Sequence, residues 1–240
     1  MGHAKPPGRK AATSRFPARH RVCALVSGGL DSCVMLAELA RRFAVIHPVY
    51  MREGLAWEEA EIRALRRYLR ALPASVRCSV LPLRVLSLPV GDVYAGHWSL
   101  TGRRAPDATT ADDAMYLPGR NLLMLSKAAV YCARHKIPVM AVGSLRRNPF
   151  TDATTEFLRE MARLASVALG WNLRVVAPFH KLSKVAVIGR ATKWALPVHL
   201  SFSCVSPRLG RHCGRCNKCA ERQRAFAGAR TPDKTLYADG

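Results

Sequence analysis

The stretch Val22-Cys23-Ala24-Leu25-Val26-Ser27-Gly28-Gly29-Leu30-Asp31-Ser32-Cys33-Val34-Met35-Leu36-Ala37-Glu38-Leu39 decides the fold. Residues 22–26 are an apolar run of strand length, and residues 33–39 continue as a helix. Between them a glycine pair leaves the strand and opens the helix, so the backbone can turn tightly and approach a ligand. The first N–H groups of such a helix have no partner inside it, and its dipole favours an anion at that end. Ser27 and Ser32 add hydroxyl donors. The loop is a candidate phosphate cradle. The plainer alternative is a strand–helix turn with Asp31 as a helix-end charge. No lysine follows the glycines, so this is not a Walker loop.

Working outward, 240 residues allow one α/β domain with a small appendage and a substantial core. Hydrophobic residues make up 49%, which fits a globular chain and not a disordered one. No apolar run reaches membrane-spanning length, and the start lacks an uninterrupted apolar signal segment. Eight cysteines without such a signal point to metal or thiol chemistry in a reducing, cytoplasmic setting. The net charge of +22 attracts phosphate-bearing partners, although arginine far outnumbers lysine and part of the excess reflects composition alone.

Residues 1–20 carry Lys5, Arg9, Lys10, Arg15 and Arg19 and no acid, and read as a disordered basic arm that could touch nucleic acid or simply be solvated. Strands are expected over 44–51, 76–86, 138–143 and 173–177. Helices are expected over 57–72, 122–134, 156–169 and 183–195. Arg63, Arg66, Arg67 and Arg70 share one helix face, a phosphate stripe or a solvated surface. Residues 88–115 lack periodicity and read as a lid over the substrate. Asn121 is expected to cap the next helix, with Arg120 adding a positive charge suited to a carboxylate or phosphate. Lys184, in the first turn of its helix, calls for an anionic partner or simple exposure. Alternating strands and helices give the fold class: α/β, a doubly wound parallel sheet.

Cys204, Cys213, Cys216 and Cys219 follow the spacing C-x8-C-x2-C-x2-C. Four thiolates so spaced complete a tetrahedral shell for structural Zn²⁺ and would close a small C-terminal lobe. Arg208, Arg211, Arg215, Lys218, Arg222 and Arg224 can offset the excess negative charge. An iron–sulfur cluster is the competing occupant. Cys23, Cys33, Cys78 and Cys132 sit in apolar settings and read as core.

The hexapeptide Ser27-Gly28-Gly29-Leu30-Asp31-Ser32 resembles the pyrophosphate loop of the ATP-pyrophosphatase (PP-loop) superfamily. Adding Leu117-Pro118-Gly119-Arg120-Asn121, and Ser203-Cys204 through His212-Cys213-Gly214-Arg215-Cys216-Asn217-Lys218-Cys219, the chain is similar to the 7-cyano-7-deazaguanine synthases of queuosine biosynthesis. The resemblance spans roughly residues 22–228. It implies a zinc-containing, ATP-dependent ligase that converts the carboxylate of 7-carboxy-7-deazaguanine into a nitrile, with ammonia as nitrogen donor. ATP with Mg²⁺ would occupy Ser27, Gly28, Gly29, Leu30, Asp31, Ser32 and Cys33. Asp31, Arg120 and Lys184 would be catalytic, and Arg120, Asn121 and Asp152 would hold the heterocyclic acid.

Three stretches depart from the family pattern. Arg147-Asn148-Pro149-Phe150-Thr151-Asp152-Ala153 keeps only Asp152 of an aromatic-rich segment. That aspartate suits either the donor edge of a guanine-like base or a helix cap. Arg52-Glu53-Gly54-Leu55-Ala56-Trp57 lacks an Arg-His pair, and Ala186 replaces an acid. The expected layout is an arm over 1–20, the ATP-binding domain over 21–200, the four-cysteine zinc lobe over 201–228 and a tail over 229–240. A homodimer is expected. A PP-loop enzyme acting on a tRNA base, and a relative conjugating a deazapurine to a protein, are the alternatives.

Overall fold

The computed structural model describes residues 20–146 and 148–238. The basic arm, apart from His20, and Arg147 lie outside the described residues. Five parallel strands form one sheet in the order β3-β2-β1-β4-β5: β1 Arg21–Leu25, β2 Val45–Arg52, β3 Arg84–Ser87, β4 Val139–Ala141 and β5 Arg174–Val176. The chain winds outward from β1 to β3, then crosses back to place β4 on the other side of β1. That reversal opens a crevice at the carboxyl ends of β1 and β4.

Both faces of the sheet are covered, which is why the strands read as continuous apolar runs. Val22, Ala24 and Val26 point to one face, where they pack with α1 Leu30–Ala40, α2 Glu58–Arg70 and α7 Lys184–Lys193. Cys23, Val49 and Met140 point to the other, against α5 Arg120–Arg134 and α6 Thr155–Leu169. Thr154 caps α6 through its hydroxyl, and Gly170, at φ 55°, ends it in the left-handed region.

Three expectations need correction. The strand expected over 76–86 is split. Residues Ala74–Arg77 form the short helix α3, a single bridge joins Ile46 to Val80, and pairing resumes only at Arg84. Pro82 lacks the N–H that a continuous ladder needs. Pro48 is tolerated inside β2 for a related reason. Ile46 donates to Ser79 and accepts from Leu81, so Pro48, two residues on, faces the same side where that ladder is interrupted. Cys78 is exposed and is not core.

The third correction concerns residues 88–115. They contain α4 Trp98–Thr101, and Trp98 stacks on Trp57 with ring centroids 5.7 Å apart. Trp98, Leu100 and Ala105 pack on Cys204, Cys213 and Phe202. Residues 98–110 therefore lie against the cysteine cluster, while Tyr94, whose hydroxyl donates to the Pro118 carbonyl, and Met115 border the crevice. The Arg63, Arg66, Arg67 and Arg70 face of α2 is exposed. Among the described residues, no helix is long and apolar enough to cross a membrane.

Candidate active site and metal centre

The phosphate loop is held from within. The Ser27 N–H donates to Ser32 Oγ at 3.2 Å, the Gly29 N–H to Ser27 Oγ at 3.2 Å, and Ser32 Oγ to the Gly29 carbonyl at 3.0 Å. Gly28 has φ 84°, and a Cβ there would meet the Glu61 carbonyl and Leu65 Cβ at 3.2 Å, so both conformation and space demand glycine. Helix α1 starts at Leu30 with Gly29 as its extended cap, three residues earlier than the residues read as its continuation. Its first N–H groups therefore open onto the crevice end of the sheet.

Asp31 sits in the first turn of α1. Its Oδ1 is buried with no hydrogen-bond partner, and its Oδ2 lies 3.4 Å from Lys184 Nζ. Burial raises the Asp31 carboxyl above its ordinary range, with Lys184 working against that. Lys184 has the anionic partners its position demanded: Asp31, and Glu221 Oε1 at 2.6 Å. Burial opposes the charge on Lys184, but Asp31 and Glu221 outweigh it and raise its pKa. Glu221, despite burial, is held at about 2 by Lys184 and Lys218. Glu221 belongs to α8 Asn217–Gly228, the helix that also carries Cys219. One ammonium thus ties the loop to the cysteine lobe. A second tie is the Phe202 N–H, which donates to the Gly28 carbonyl at 2.7 Å.

A cleft of about 350 Å³ lies at the carboxyl ends of β1, β2 and β4. Ser27, Gly29, Asp31, Ser32, Arg120, Asn121 and Asp152, widely separated in sequence, all line it. Gly28, Leu30 and Cys33 are buried behind it, and Lys184 acts from outside through Asp31. Asn121 does not cap α5. The helix begins two residues earlier than expected, at Arg120, after Gly119 at φ 75°. Asp152 takes over the capping, accepting the Asn121 N–H on Oδ2 at 2.9 Å and the Asn121 amide on Oδ1 at 3.1 Å. Arg120 is neutralised by a buried partner that sequence reading missed. Its Nε lies 3.0 Å from both Glu53 oxygens, and its Nη2 lies 2.5 Å from Oε2.

Glu61 and Tyr50 were missed as well. Both line the cleft, and the Tyr50 hydroxyl donates to Glu61 Oε2 at 2.6 Å. Burial pushes Glu61 up to about 8, against the pull of Tyr50 and Arg120. The signal was its spacing: Glu61 and Leu65 are four apart on α2, which places a carboxyl on the apolar face.

The four cysteines Cys204, Cys213, Cys216 and Cys219 are buried, with sulfur atoms within 4.8 Å of one another. Cys216 and Cys204 sulfurs are 3.9 Å apart, far beyond a disulfide bond. That separation is close to the edge of a tetrahedron with ~2.3 Å metal–sulfur bonds. The Cys213 N–H donates to Cys204 Sγ and the Cys216 N–H to Cys213 Sγ, each at 3.3 Å, which suits thiolates. His212 is not a fifth candidate, because its Nε2 accepts the Ser203 N–H at 3.1 Å. Arg222 is fully buried and holds the lobe together through Ser201, Thr235 and the Val198 carbonyl.

A protein 31% identical over 229 residues, from Anaeromyxobacter dehalogenans (strain 2CP-C), is named 7-cyano-7-deazaguanine synthase. The match covers 91% of this chain and 96% of that protein. One from Anaeromyxobacter sp. (strain Fw109-5), 32% identical over 235 residues, bears the same name, with 90% and 96% covered. Among solved structures, a U34-tRNA thiolase NcsA from Methanococcus maripaludis with its [4Fe-4S] cluster matches at 13% identity and a TM-score of 0.47, covering 87% of this chain and 65% of that one. A 4-thiouridine synthetase–RNA complex with bound ATP matches at 14% identity and a TM-score of 0.45, covering 88% and 50%. The family model described as "Queuosine biosynthesis protein QueC" matches residues 21–230, and the chain belongs to that family.

Proposed function

We propose that the protein is an ATP-dependent carbon–nitrogen ligase that converts 7-carboxy-7-deazaguanine and ammonia into 7-cyano-7-deazaguanine. The observation that carries this reading is the cleft itself. Ser27, Gly29 and Ser32 of the loop line the same space as Arg120 and Asn121, which in this reading take the acid. A carboxylate is a poor electrophile, so it first attacks the α-phosphate of ATP and becomes an acyl adenylate, releasing pyrophosphate. Ammonia displaces AMP to give an amide; the amide oxygen then attacks the α-phosphate of a second ATP, releasing pyrophosphate, and departs in AMP as the nitrogen loses its two protons, leaving the nitrile. The protein's work is positioning and charge stabilisation.

The orphaned Asp31 Oδ1 is a hard oxygen donor on a residue that lines the cleft, which fits Mg²⁺. That ion would neutralise the phosphate charge. Lys184 keeps Asp31 in place. With Nε and Nη2 of Arg120 engaged by Glu53, its Nη1 is the group left to meet the acceptor's carboxylate. Zn²⁺ on the four cysteines would have a structural role, fastening α8 and Phe202 behind the loop. Purified protein supplied with Mg-ATP, the acid and ammonium should release AMP and a product whose mass is that of the nitrile. ATP consumption that ignores the acid would refute the assignment.

A further inference from the structure

At the amino ends of the strands, far from the loop over 27–32, a second cavity of about 240 Å³ is lined by His47, Arg84, Tyr131 and His135, with Pro48, Leu81 and Pro82. Arg21, the first residue of β1, reaches the same residues. Its Nη2 lies 3.1 Å from His47 Nε2, and its Nη1 donates to the His135 carbonyl at 3.1 Å. Its Nε is buried with no partner. Arg84 opens β3, and His135 ends α5.

The charge balance at this corner is one-sided. Burial, Arg21 and His135 hold His47 down at about 4. Burial, Arg84, Arg21 and Arg134 lower His135. Among the described residues, no acid is among the groups acting on either ring. The carboxyl end of α5 offers roughly half a negative charge, against two full guanidinium charges. The adjoining residues 1–20 contain no aspartate or glutamate, so they cannot supply a counter-charge. The cost falls on Arg21, a half-buried guanidinium without a counter-ion whose Nε–H is also hidden from water.

We propose that Arg21, Arg84, His47 and His135 form a binding site for a phosphate group, separate from the ATP cleft. A phosphate dianion in the cavity would pair with the Arg84 guanidinium, supply the counter-charge that Arg21 lacks behind His47 and His135, and favour protonation of both imidazoles. Tyr131 and His135, with ring centroids 4.3 Å apart and planes tilted by 39°, form the aromatic side of the cavity. The phosphate could therefore be a free ion or the 5′-phosphate of a nucleotide.

The test follows the ring signals of His47 and His135 by NMR in the full chain, at constant ionic strength in chloride. Inorganic phosphate and AMP are titrated in separate arms. A saturable shift of both rings is expected, with their titration midpoints raised. Arg84→Gln, at an exposed position, and Arg21→Gln should each weaken binding about tenfold, the scale of one charge-assisted hydrogen bond. Binding of AMP at least tenfold tighter than phosphate identifies the nucleotide as the source, and equal affinity identifies the free ion. Absence of saturation, or saturation unchanged in the Arg84→Gln and Arg21→Gln proteins, overturns the site. Because the readout is local to His47, phosphate entering the loop over 27–32 cannot imitate it.

Discussion

Arg120 Nε stands 3.0 Å from each carboxylate oxygen of Glu53, and Glu53 is almost wholly buried. The pair joins the start of α5 to the segment following β2 and forms one wall of the cleft. Removing one member of a buried pair strands the other charge, which costs more than the pair contributes. Arg120→Met should therefore destabilise the fold by about 3 kcal/mol in denaturant unfolding. The double variant Arg120→Met/Glu53→Leu should recover most of that loss. Equal stability of the wild type and Arg120→Met would show that the pair is solvated in solution.

Lys184→Met should cost stability, because it strands Asp31 and Glu221, and should cost catalysis beyond that. Lys184 touches Asp31 and Glu221 and does not line the cleft. Lys184→Met leaves Asp31 without its cation beside the phosphate site. AMP release should fall about a hundredfold, the order expected for a misplaced catalytic group. The metal content of the purified variant should stay unchanged. A variant that lost metal and activity together would instead assign Lys184 to the lobe.

The sequence revealed the loop over 27–32, the doubly wound sheet and the four cysteines because each is a local pattern. A glycine pair after a strand, alternating apolar runs and two-residue cysteine gaps need no knowledge of distant neighbours. The partners of those groups were not legible. Glu53, 67 positions from Arg120, neutralises a charge that looked free. Asp152 caps a helix that begins 32 residues before it, by accepting from Asn121. Residues 88–115 looked aperiodic because their order comes from packing on Trp57 and the cysteines. Only tertiary folding brings these groups together.

Metal removal should propagate to the loop. Cys204 lies two residues from Phe202, whose N–H holds the Gly28 carbonyl, and Cys219 lies two residues from Glu221, which holds Lys184. Analysis of purified protein should find about one zinc per chain, colourless. Cys213→Ser, or chelation, should reduce the metal and weaken Mg-ATP binding at least tenfold by calorimetry. An unchanged ATP affinity in metal-free protein would show that the two sites are independent. Iron with visible absorbance would replace zinc as the occupant.

Glu61 sets a pH dependence whose sign is fixed. Its carboxyl is raised from 4.5 to about 8, chiefly by burial. Below about pH 4.5 it is protonated whether the chain is folded or not, and it costs nothing. As pH rises from there to about 8, the unfolded chain gives up a proton that the folded chain keeps. Each pH unit then removes about 1.4 kcal/mol of stability, and the loss levels off above that range. Glu61→Gln keeps an acceptor for the Tyr50 hydroxyl but has no proton to lose. Thermal unfolding of the wild type and Glu61→Gln should therefore diverge as pH rises from 5 to 8, with the variant gaining the advantage. Parallel curves across that range would mean that Glu61 ionises normally, and that the cleft is wetter than its burial indicates.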